Sequence, residues 1–357
     1  MNRRGRRWIG WALGAVVLAL IFIHIARSPE WRDFSWARLG ALLLQVRLRL
    51  LIPAAGLAYL TYLIRAWRWQ FFCEPLKRCR LGVLFNAQVL GFGSIYLVGR
   101  AGEIVRPAYI AKAEDLPFTS QLAVWVLERA YDSISLIVLL ALALYFEPVG
   151  ASAGRRLAII HRMHEGAIAV FIVCAAAVAC LVVYRLYSAK LIAWLDRALE
   201  AAPEKFRAPA HNFAESFASG LDVVQNVRDF AASVACTAVL WAVNVTVMWL
   251  AFRSVGGALA NFSWWATGTV TFLACLGLAV QLPGVGGGYQ VAILLALRDL
   301  YGVPAAGAAS AAILTWFAVM APCVALGLIL VAAGGLSFKR IQTLVEEEES
   351  EIATPGP

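Results

Sequence analysis

The chain has 357 residues, of which 61% are hydrophobic and only 15% charged, and its mean hydropathy is +0.74. No ordinary soluble domain has this composition, so the sequence predicts an all-α polytopic membrane protein. The net charge of +9 fits that class, because Lys and Arg collect in loops that face the cytoplasm and anionic lipid. These charges are scattered between apolar spans, which argues against nucleic acid as a partner.

The N-terminal apolar stretch 8–25 follows a basic run, Arg3-Arg4-Gly5-Arg6-Arg7, and has two interpretations. It is either a cleaved signal peptide or an uncleaved first span. Its exit, Ala26-Arg27-Ser28-Pro29, lacks a small-x-small cleavage site. The sequence therefore favours an uncleaved helix with its basic end in the cytoplasm.

Eight apolar stretches are predicted to cross about 30 Å of hydrocarbon. They are 8–25, 48–64, 81–98, 122–146, 166–184, 230–252, 264–280 and 306–333. The segment 289–300 is too short to span and is expected to be a re-entrant or interfacial helix. We predict one integral membrane domain over 1–340, followed by a disordered acidic tail over 341–357.

The distribution of basic residues predicts which loops are cytoplasmic. By the span count, the N-terminus, residues 65–80, the loop with Arg155, Arg156 and Arg162, and the C-terminal Lys339-Arg340 share one side. That side is expected to be the cytoplasm. Residues 28–49 and 185–228 then lie outside, although both carry several basic residues.

Two glycine-rich breaks interrupt the apolar stretches. They are Leu97-Val98-Gly99-Arg100-Ala101-Gly102-Glu103 and Leu282-Pro283-Gly284-Val285-Gly286-Gly287-Gly288-Tyr289-Gln290. Unwound backbone in lipid leaves polar groups unpaired unless protein or a water-filled cavity satisfies them. Two such breaks predict a polar site at membrane depth.

The breaks belong to a weak internal repeat. Aligning Gly99 with Gly286 also aligns Glu103 with Gln290 and Glu128 with Thr315, without a gap. The repeat-like units are about 81–146 and 268–333, and paired broken segments of this kind point to a transporter's substrate site. Three spans are counted between the units, which makes them parallel, whereas one miscounted span makes them inverted.

Ionisable residues cluster within the predicted spans, where they are costly and usually face a bundle interior or a cavity. Arg65 and Arg68 lie on one face of the second span. The remaining members lie in the first break, just after it, or in the fourth span: Arg100, Glu103, Arg106, Glu128, Arg129 and Asp132.

These charges have a structural and a functional interpretation. Arg65, Arg68 and their flanking tryptophans are typical of an interfacial anchor, and Glu128 with Arg129 of a structural ion pair. Alternatively, the arginines bind a phosphate bidentately while Glu103 and Glu128 orient them. The convergence of three groups at a glycine break favours the binding site. The Cys and His residues are interpreted as structural, so no cofactor or metal is predicted.

Five short motifs occur in one order: Ile64-Arg65-Ala66-Trp67-Arg68-Trp69, Gly99-Arg100-Ala101-Gly102-Glu103 with Arg106, Glu128-Arg129-Ala130-Tyr131-Asp132, Pro283-Gly284-Val285-Gly286-Gly287-Gly288 and Tyr301-Gly302-Val303-Pro304. This order resembles the flippase-like family, also called the lysylphosphatidylglycerol synthase transmembrane region. The resemblance covers nearly the whole chain. The family's best-known members carry an aminoacyl-transfer domain that this chain lacks, so the synthase activity is not carried over.

The resemblance implies an inner-membrane protein that moves an anionic or polyprenyl-linked lipid between leaflets, or that serves an enzyme making one. The implied partners are therefore a membrane lipid and a lipid- or glycan-synthesis enzyme. In the second break, Gly286, Gly287, Tyr289 and Gln290 are candidate substrate-binding residues. The family commonly has Glu where this chain has Gln290, whose neutral amide can still donate to a phosphate or a sugar.

The leading hypothesis is a lipid translocator that binds the headgroup at the Arg/Glu cluster. The alternative is a membrane enzyme or an accessory subunit in lipid or glycolipid biosynthesis. An enzyme needs a general base or nucleophile, and Glu103, Glu128 and Asp132 are the plausible supply.

Overall fold

The computed structural model describes residues 35–147, 182–200, 204–222, 226–278, 281–282 and 286–333, with helical residues 172, 176, 179 and 180. Side chains are not described for 96–101, 204–206, 208–209, 281–286 and 331–333. The predicted first span (8–25), most of the fifth (166–184), the loop with Arg155, Arg156 and Arg162, and the acidic tail (341–357) lie outside the described residues.

The described part is helical apart from one two-residue strand pairing. The helices are α1 Trp36–Leu44, α2 Leu48–Cys73, α3 Leu81–Val98, α4 Val105–Glu114, α5 Phe118–Phe146, α6 Ser188–Ala198, α7 Glu204–Ser219, α8 Val227–Val255, α9 Trp264–Gly277, α10 Gly288–Leu295 and α11 Ala305–Ala333. Gly99–Ile104 and Gly257–Leu259 form 3-10 turns, and Ala296–Leu300 forms a π turn. Strands β1 Gln281–Leu282 and β2 Gly286–Gly287 pair antiparallel, with Gln281 opposite Gly287.

Four of these helices are long and apolar enough to cross a membrane: α2, α5, α8 and the 305–330 part of α11. The predicted second span ended at Ile64, but α2 continues to Cys73. The reason is that Arg65 and Arg68 do not leave the protein at an interface. Both are buried against other helices, so the helix extends past them.

The first glycine break turns the chain back on itself. Gly102 lies so close to Ser94 that an added Cβ would stand 2.5 Å from the Ser94 carbonyl carbon. Further along, Arg106 of α4 donates to Gln88 of α3, and Glu114 at the end of α4 pairs with Arg80 just before α3. Helices α3 and α4 therefore form an antiparallel hairpin whose two outer ends lie together. The break is a 3-10 turn, so its backbone is tighter than α-helical but not fully unwound.

The second break forms a hairpin of the same kind. A Cβ on Gly277 of α9 would stand 2.3 Å from the carbonyl oxygen of Gly288, the first residue of α10. At the other end, the ring of Tyr301 lies 5.1 Å from that of Phe262, just before α9. The chain after the break therefore runs back along α9.

Corresponding helix boundaries in the two halves match the predicted repeat alignment. With Gly99 on Gly286, the first residue of α5 falls on the first of α11. The residues that end the two hairpins also correspond: Asp115 has φ 55° and Gly302 has φ 67°. Each is followed two residues later by a proline, Pro117 or Pro304, immediately before the long helix.

As repeat units, the two halves are inverted, and the expected parallel arrangement is wrong. Helices α2 and α8, which precede the two hairpins, run antiparallel: the Arg47 amide donates to the Ser254 carbonyl at one end, and Arg68 bonds Thr237 towards the other. The span count failed because the first hairpin returns α5 to the end where α3 began. The hairpins therefore enter from opposite ends, and β1 lies beside the 3-10 turn of the first break.

One further sequence assignment needs correction. Residues 65–80 and 185–228 were predicted on opposite sides, but Pro75, Arg185, Asp222 and Asn226 line one surface groove. These segments therefore share one end of the bundle. Helices α6 and α7 pack there, with Tyr184 donating to the Ala214 carbonyl at 2.8 Å.

Candidate functional site

A buried ionic cluster joins α2, α4, α5 and α8. At its centre is Glu128, which is fully buried on α5. Its Oε1 accepts from Arg68 Nη2 at 2.5 Å, and its Oε2 accepts from Arg106 and, at 3.3 Å, from Arg129. One carboxylate thus ties together arginines from three helices. Glu128 is about 15 Å along α5 from the helix start, at 1.5 Å per residue, which is about a third of the length of this 29-residue helix.

A second carboxylate, Asp132, extends the cluster one helical turn along α5. Its Oδ1 accepts from Arg68 Nη1 at 2.7 Å and its Oδ2 from Arg65 Nη1 at 3.2 Å. The i, i+3 spacing on α2 and the i, i+4 spacing on α5 place each pair on one helix face, so the two pairs meet. Arg68 Nη1 also donates to Thr237 of α8 at 3.1 Å.

Arg106 is held by neutral groups as well as by Glu128. It is 4% exposed, and its Nη1 donates to Gln88 Oε1 at 2.7 Å. Its guanidinium carbon lies 4.6 Å from the ring centroid of Trp69 and 5.5 Å from that of Phe92. A desolvated cation gains most from aromatic faces, so these rings offset part of the cost of burying Arg106.

Next to this cluster is a small cavity of about 10 Å³, with room for about one water molecule. Its lining combines two cations and one acid with apolar and aromatic groups: Gly91, Phe92, Ile95, Glu103, Arg106, Trp125 and Arg129. Two lining N–H groups, Trp125 Nε1 and Arg129 Nε, are buried without a hydrogen-bond partner. Arg68 Nε and Gln88 Nε2, in the adjoining cluster, are unpaired too. All four of these groups are donors, so what this region lacks is an acceptor.

The charge of the cluster points the same way. Arg65, Arg68, Arg106 and Arg129 carry four positive charges, and their ion-pair partners, Glu128 and Asp132, carry two negative ones. Buried charges are tolerated where they are paired and hydrogen-bonded. An excess of buried cations and unpaired donors therefore suits an anionic, acceptor-rich ligand.

The structure brings together most of the residues predicted from the first half. Six join the cluster: Arg65, Arg68, Arg106, Glu128, Arg129 and Asp132. Glu103 lines the cavity, whereas Arg100 is described only by its backbone in the 3-10 turn. The predicted alternative of a plain interfacial anchor is wrong for Arg65 and Arg68, because both are buried in the ion-pair network.

The candidates from the second half lie at the tip of the other hairpin. Gln290 accepts from the Gly287 amide through Oε1 at 2.6 Å, which caps the start of α10. Tyr289 is 7% exposed and packs in the apolar core with Met248 and Ile293. Gly286 pairs with Leu282 in the short strand ladder. These residues shape the second break, and their binding role stays a prediction.

Sequence reasoning missed four contributors: Gln88, Trp69, Trp125 and Thr237. The signal for Gln88 was an amide side chain in an apolar helix, and for Trp125 its position four residues before Arg129. Trp69 was noted only as an interfacial aromatic, yet it is fully buried and donates to Gln121 at 3.0 Å. Thr237 gave no signal, because threonines in apolar helices commonly bond their own backbone, as Thr237 does with Ser233.

Comparison with known proteins identifies the family. The family model described as the lysylphosphatidylglycerol synthase TM region matches residues 7–327. A search of curated proteins found no significant match. With its apolar helices, the match makes this chain a multi-pass membrane protein of lipid metabolism or translocation. The chain belongs to the lysylphosphatidylglycerol synthase TM region family.

Proposed function

We propose that the protein is a lipid translocator that binds an anionic headgroup in the cavity beside the ionic cluster. The observation that carries this proposal is the cavity lining. Arg106 and Arg129 face it, and unpaired donors of Trp125 and Arg129 surround it. A phosphate group supplies both the negative charge and the acceptors that these groups lack.

The size of the cavity argues against an enclosed soluble metabolite. Sites that enclose a small molecule usually have about 300–1,000 Å³. At about 10 Å³, this cavity holds about one water molecule, so in this proposal the side chains that line it move apart to admit a headgroup while the acyl chains stay in the bilayer. The protein then needs to cover only the polar end of the lipid, and the chains keep their apolar surroundings.

The two hairpins supply a path for the headgroup. They enter from opposite ends and meet near their tips, the geometry of re-entrant segments in transporters with inverted repeats. In this proposal both hairpins are re-entrant. The first binds the headgroup through Arg106 and Glu103, and the second shapes the route through Gly286, Gly287, Tyr289 and Gln290.

The pairing of the carboxylates decides which residue a lipid-modifying enzyme would need. Glu128 and Asp132 are each occupied by two or more arginines, which leaves Glu103 as the carboxylate in the cavity with no such pairing. A lipid-modifying enzyme of this fold would depend on that residue as its general base.

We also propose that the protein lies in the inner membrane with the loop 74–80 in the cytoplasm, because Lys77, Arg78 and Arg80 give that end a basic loop. The last turns of α11 contact the beginning of α3, since Phe85 and Leu326 pack against the same Val89–Cys323 contact. The described end of α11 therefore lies on the same side, and we propose that the C-terminus is cytoplasmic as well. An amine reagent that cannot cross the membrane and is added outside the cell should leave Lys77 unlabelled, and labelling of Lys77 would contradict this orientation.

The proposed function is tested with purified protein in vesicles containing a fluorescent anionic phospholipid. The test variant is Arg129→Gln, because Arg129 is the most exposed arginine of the cluster, with 38% of its side chain accessible, and its loss disturbs folding least. Losing a charge-assisted bond of about 1.5–3 kcal/mol predicts about a 10- to 100-fold loss of lipid binding and a matching loss of transport.

The matched control is Arg197→Gln, an exposed arginine of α6 that bonds only within its own helix among the described contacts. We expect transport within twofold of wild type. Equal transport by wild type and Arg129→Gln refutes the headgroup site. Chemical conversion of the lipid by wild type, lost in Glu103→Gln, supports the enzyme instead.

A further inference from the structure

Helix α6 carries an exposed apolar stripe. Tyr187, Leu191 and Trp194 are 51%, 38% and 63% exposed, and their i, i+4, i+7 spacing puts them on one helix face. Tyr187 lies just before α6, but its carbonyl accepts from the Leu191 amide at 2.9 Å, so it continues this face by one turn. Apolar side chains exposed singly are common on protein surfaces, whereas a contiguous patch marks a surface that another molecule covers.

The other face of α6 packs on α7. Ser188 is buried on that face, and the Asp196 carboxylate bonds to His211 Nδ1 of α7 at 3.0 Å. Just before α6, Tyr184 donates to the Ala214 carbonyl of α7. These contacts hold α6 against the bundle with its stripe turned outward.

Helix α6 begins at the level where a spanning helix begins. Arg185, three residues before α6, pairs with Asp222, and both line a surface groove with Val227, the first residue of α8. Helix α8 is long and apolar enough to cross a membrane. Its 29 residues extend over about 43 Å, at 1.5 Å per residue, which matches a bilayer with its headgroup regions. The groove, and with it the start of α6, is therefore placed near the headgroups.

The stripe continues an outer surface that is apolar on both sides of it. Val183 is exposed one turn before Tyr187, whose amide donates to the Val183 carbonyl at 3.0 Å. On α8, Val227, Phe230 and Val234 are exposed along one face. An apolar outer face on a spanning helix contacts lipid. The bilayer that covers these residues is therefore within reach of the stripe.

The side chains of the stripe suit the boundary between headgroups and acyl chains. Tyr and Trp have an apolar ring and a polar group, and they are enriched at this depth of the bilayer. Exposed Lys190 lies beside the stripe, with its Nζ 5.6 Å from the ring centroid of Tyr187. A lysine in this position covers apolar surface with its stem and reaches lipid phosphates with its ammonium.

We propose that α6 is an interfacial membrane helix whose Tyr187, Leu191 and Trp194 insert into the leaflet at this end of the bundle. This contact with the bilayer is separate from the headgroup cavity and does not rest on the proposed function. It also positions the chain after α7, where Leu221 is fully buried in one apolar cluster with Leu127, the neighbour of Glu128. The helix pair thus links the membrane surface to the wall of the ionic cluster.

The test is photo-crosslinking of the full chain in vesicles of phosphatidylcholine and phosphatidylglycerol. A trace of phosphatidylcholine carries a diazirine near the top of one acyl chain, and fragmentation mass spectrometry assigns the lipid adducts to residues after irradiation. We expect adducts at Leu191 and Trp194 within about threefold of those at Val234, the lipid-facing reference on α8.

The decisive variant combines Leu191→Asp with Trp194→Asp, which puts two charges into the stripe. Charged groups are excluded from the acyl boundary, so adducts over residues 187–198 should fall at least about tenfold while those at Val234 stay unchanged. The matched control combines Ala189→Asp with Ala193→Asp. Both alanines are exposed on α6 away from the stripe, so the same two charges should leave the adducts within about twofold of wild type.

Two results overturn the inference. One is a wild-type protein with adducts at Val234 but none over residues 187–198, a result that needs no variant to fold. The other is an equal loss of adducts in the two double variants. If Lys190 in native membranes instead cross-links to another protein while the stripe gains no lipid, the stripe is a protein interface and the inference is wrong. None of these results changes the dependence of transport on Arg129, which tests the proposed function separately.

Discussion

The two helical hairpins share a backbone plan and differ in chemistry. In each hairpin, a glycine of one arm lies against the backbone of the other arm. Each hairpin then leads through a residue with positive φ and a proline into a helix of 29 residues. Yet the first half holds Arg106 and Glu128, where the second has Ile293 and Thr315 at the aligned positions. The glycines therefore shape the backbone of both hairpins, whereas Arg106 and Glu128 form part of the candidate site.

The contrast is also visible in how the two halves are stabilised. Ile293 is fully buried in the largest apolar core, together with residues of α8, α9 and α11. Its counterpart Arg106 is almost as buried but depends on Glu128, Gln88 and Trp69. Apolar packing tolerates small changes, whereas a buried ionic network fails when one partner is removed. We therefore expect the two halves to respond very differently to equivalent substitutions.

The largest difference is expected at the aligned pair Glu128 and Thr315. Glu128→Gln keeps the shape but leaves buried arginines without their shared carboxylate, at a cost of about 3–5 kcal/mol. Thr315→Val removes one hydroxyl that bonds the Ala311 carbonyl, at a cost of about 1 kcal/mol. Thermal unfolding in detergent, followed by size-exclusion fluorescence, measures both. Equal losses of stability at the two positions would contradict the prediction that a buried ionic network stabilises the first half whereas apolar packing stabilises the second.

The glycines should behave alike in both halves. Gly102→Ala and Gly277→Ala each direct a Cβ into backbone, at 2.5 and 2.3 Å, so each should destabilise the protein by about 1–3 kcal/mol. Gly82→Ala is the matched control, because nothing lies within 4 Å of a Cβ added there. At the second residue of α3, that change should stabilise the protein by about 0.4–1 kcal/mol, because alanine has fewer conformations than glycine in the unfolded chain. A tolerant Gly277 would mean that the second turn opens more easily than the first.

The sequence was sufficient for much of this plan. The charged residues were predicted as one site because their spacing put them on helix faces, and the structure joins six of them. The start of α5 was predicted four residues late, because polar residues such as Thr119, Ser120 and Gln121 are not typical of a membrane span. Buried Ser120 and Gln121 bond to neighbouring groups, so polarity did not end the helix.

What the sequence could not give was the direction of the chain after the first break. Glycine has no Cβ and therefore permits both a continued helix and a sharp turn. A glycine-rich interruption is thus compatible with a chain that continues in the same direction and with one that turns back. Only contacts between distant residues, such as Arg80 with Glu114, decide between the two. Because this direction was unknown, the two halves were predicted to be parallel, and residues 185–228 were predicted on the opposite side of the membrane from residues 65–80.

The smallest effect on stability, and the sharpest test of the comparison, is expected at Trp125. Trp125→Phe keeps an aromatic ring on the cavity wall and removes the indole N–H, which has no acceptor among the described residues. Since no hydrogen bond is broken, the free energy of unfolding should change by less than about 0.5 kcal/mol. The bond to a bound headgroup is lost, so lipid affinity should fall about fivefold, at about 1 kcal/mol for a neutral hydrogen bond.

Ala312, aligned with Trp125 in the second half, has no polar side chain to lose and is 2% exposed in the core. Ala312→Gly is therefore the matched control: it should weaken the helix by about 1 kcal/mol while lipid affinity stays unchanged. The two variants thus give opposite patterns, one losing affinity without stability and the other stability without affinity. If Trp125→Phe instead lowers stability and leaves affinity intact, the unpaired donors do not mark a ligand, and the first half differs from the second only in how it is held together.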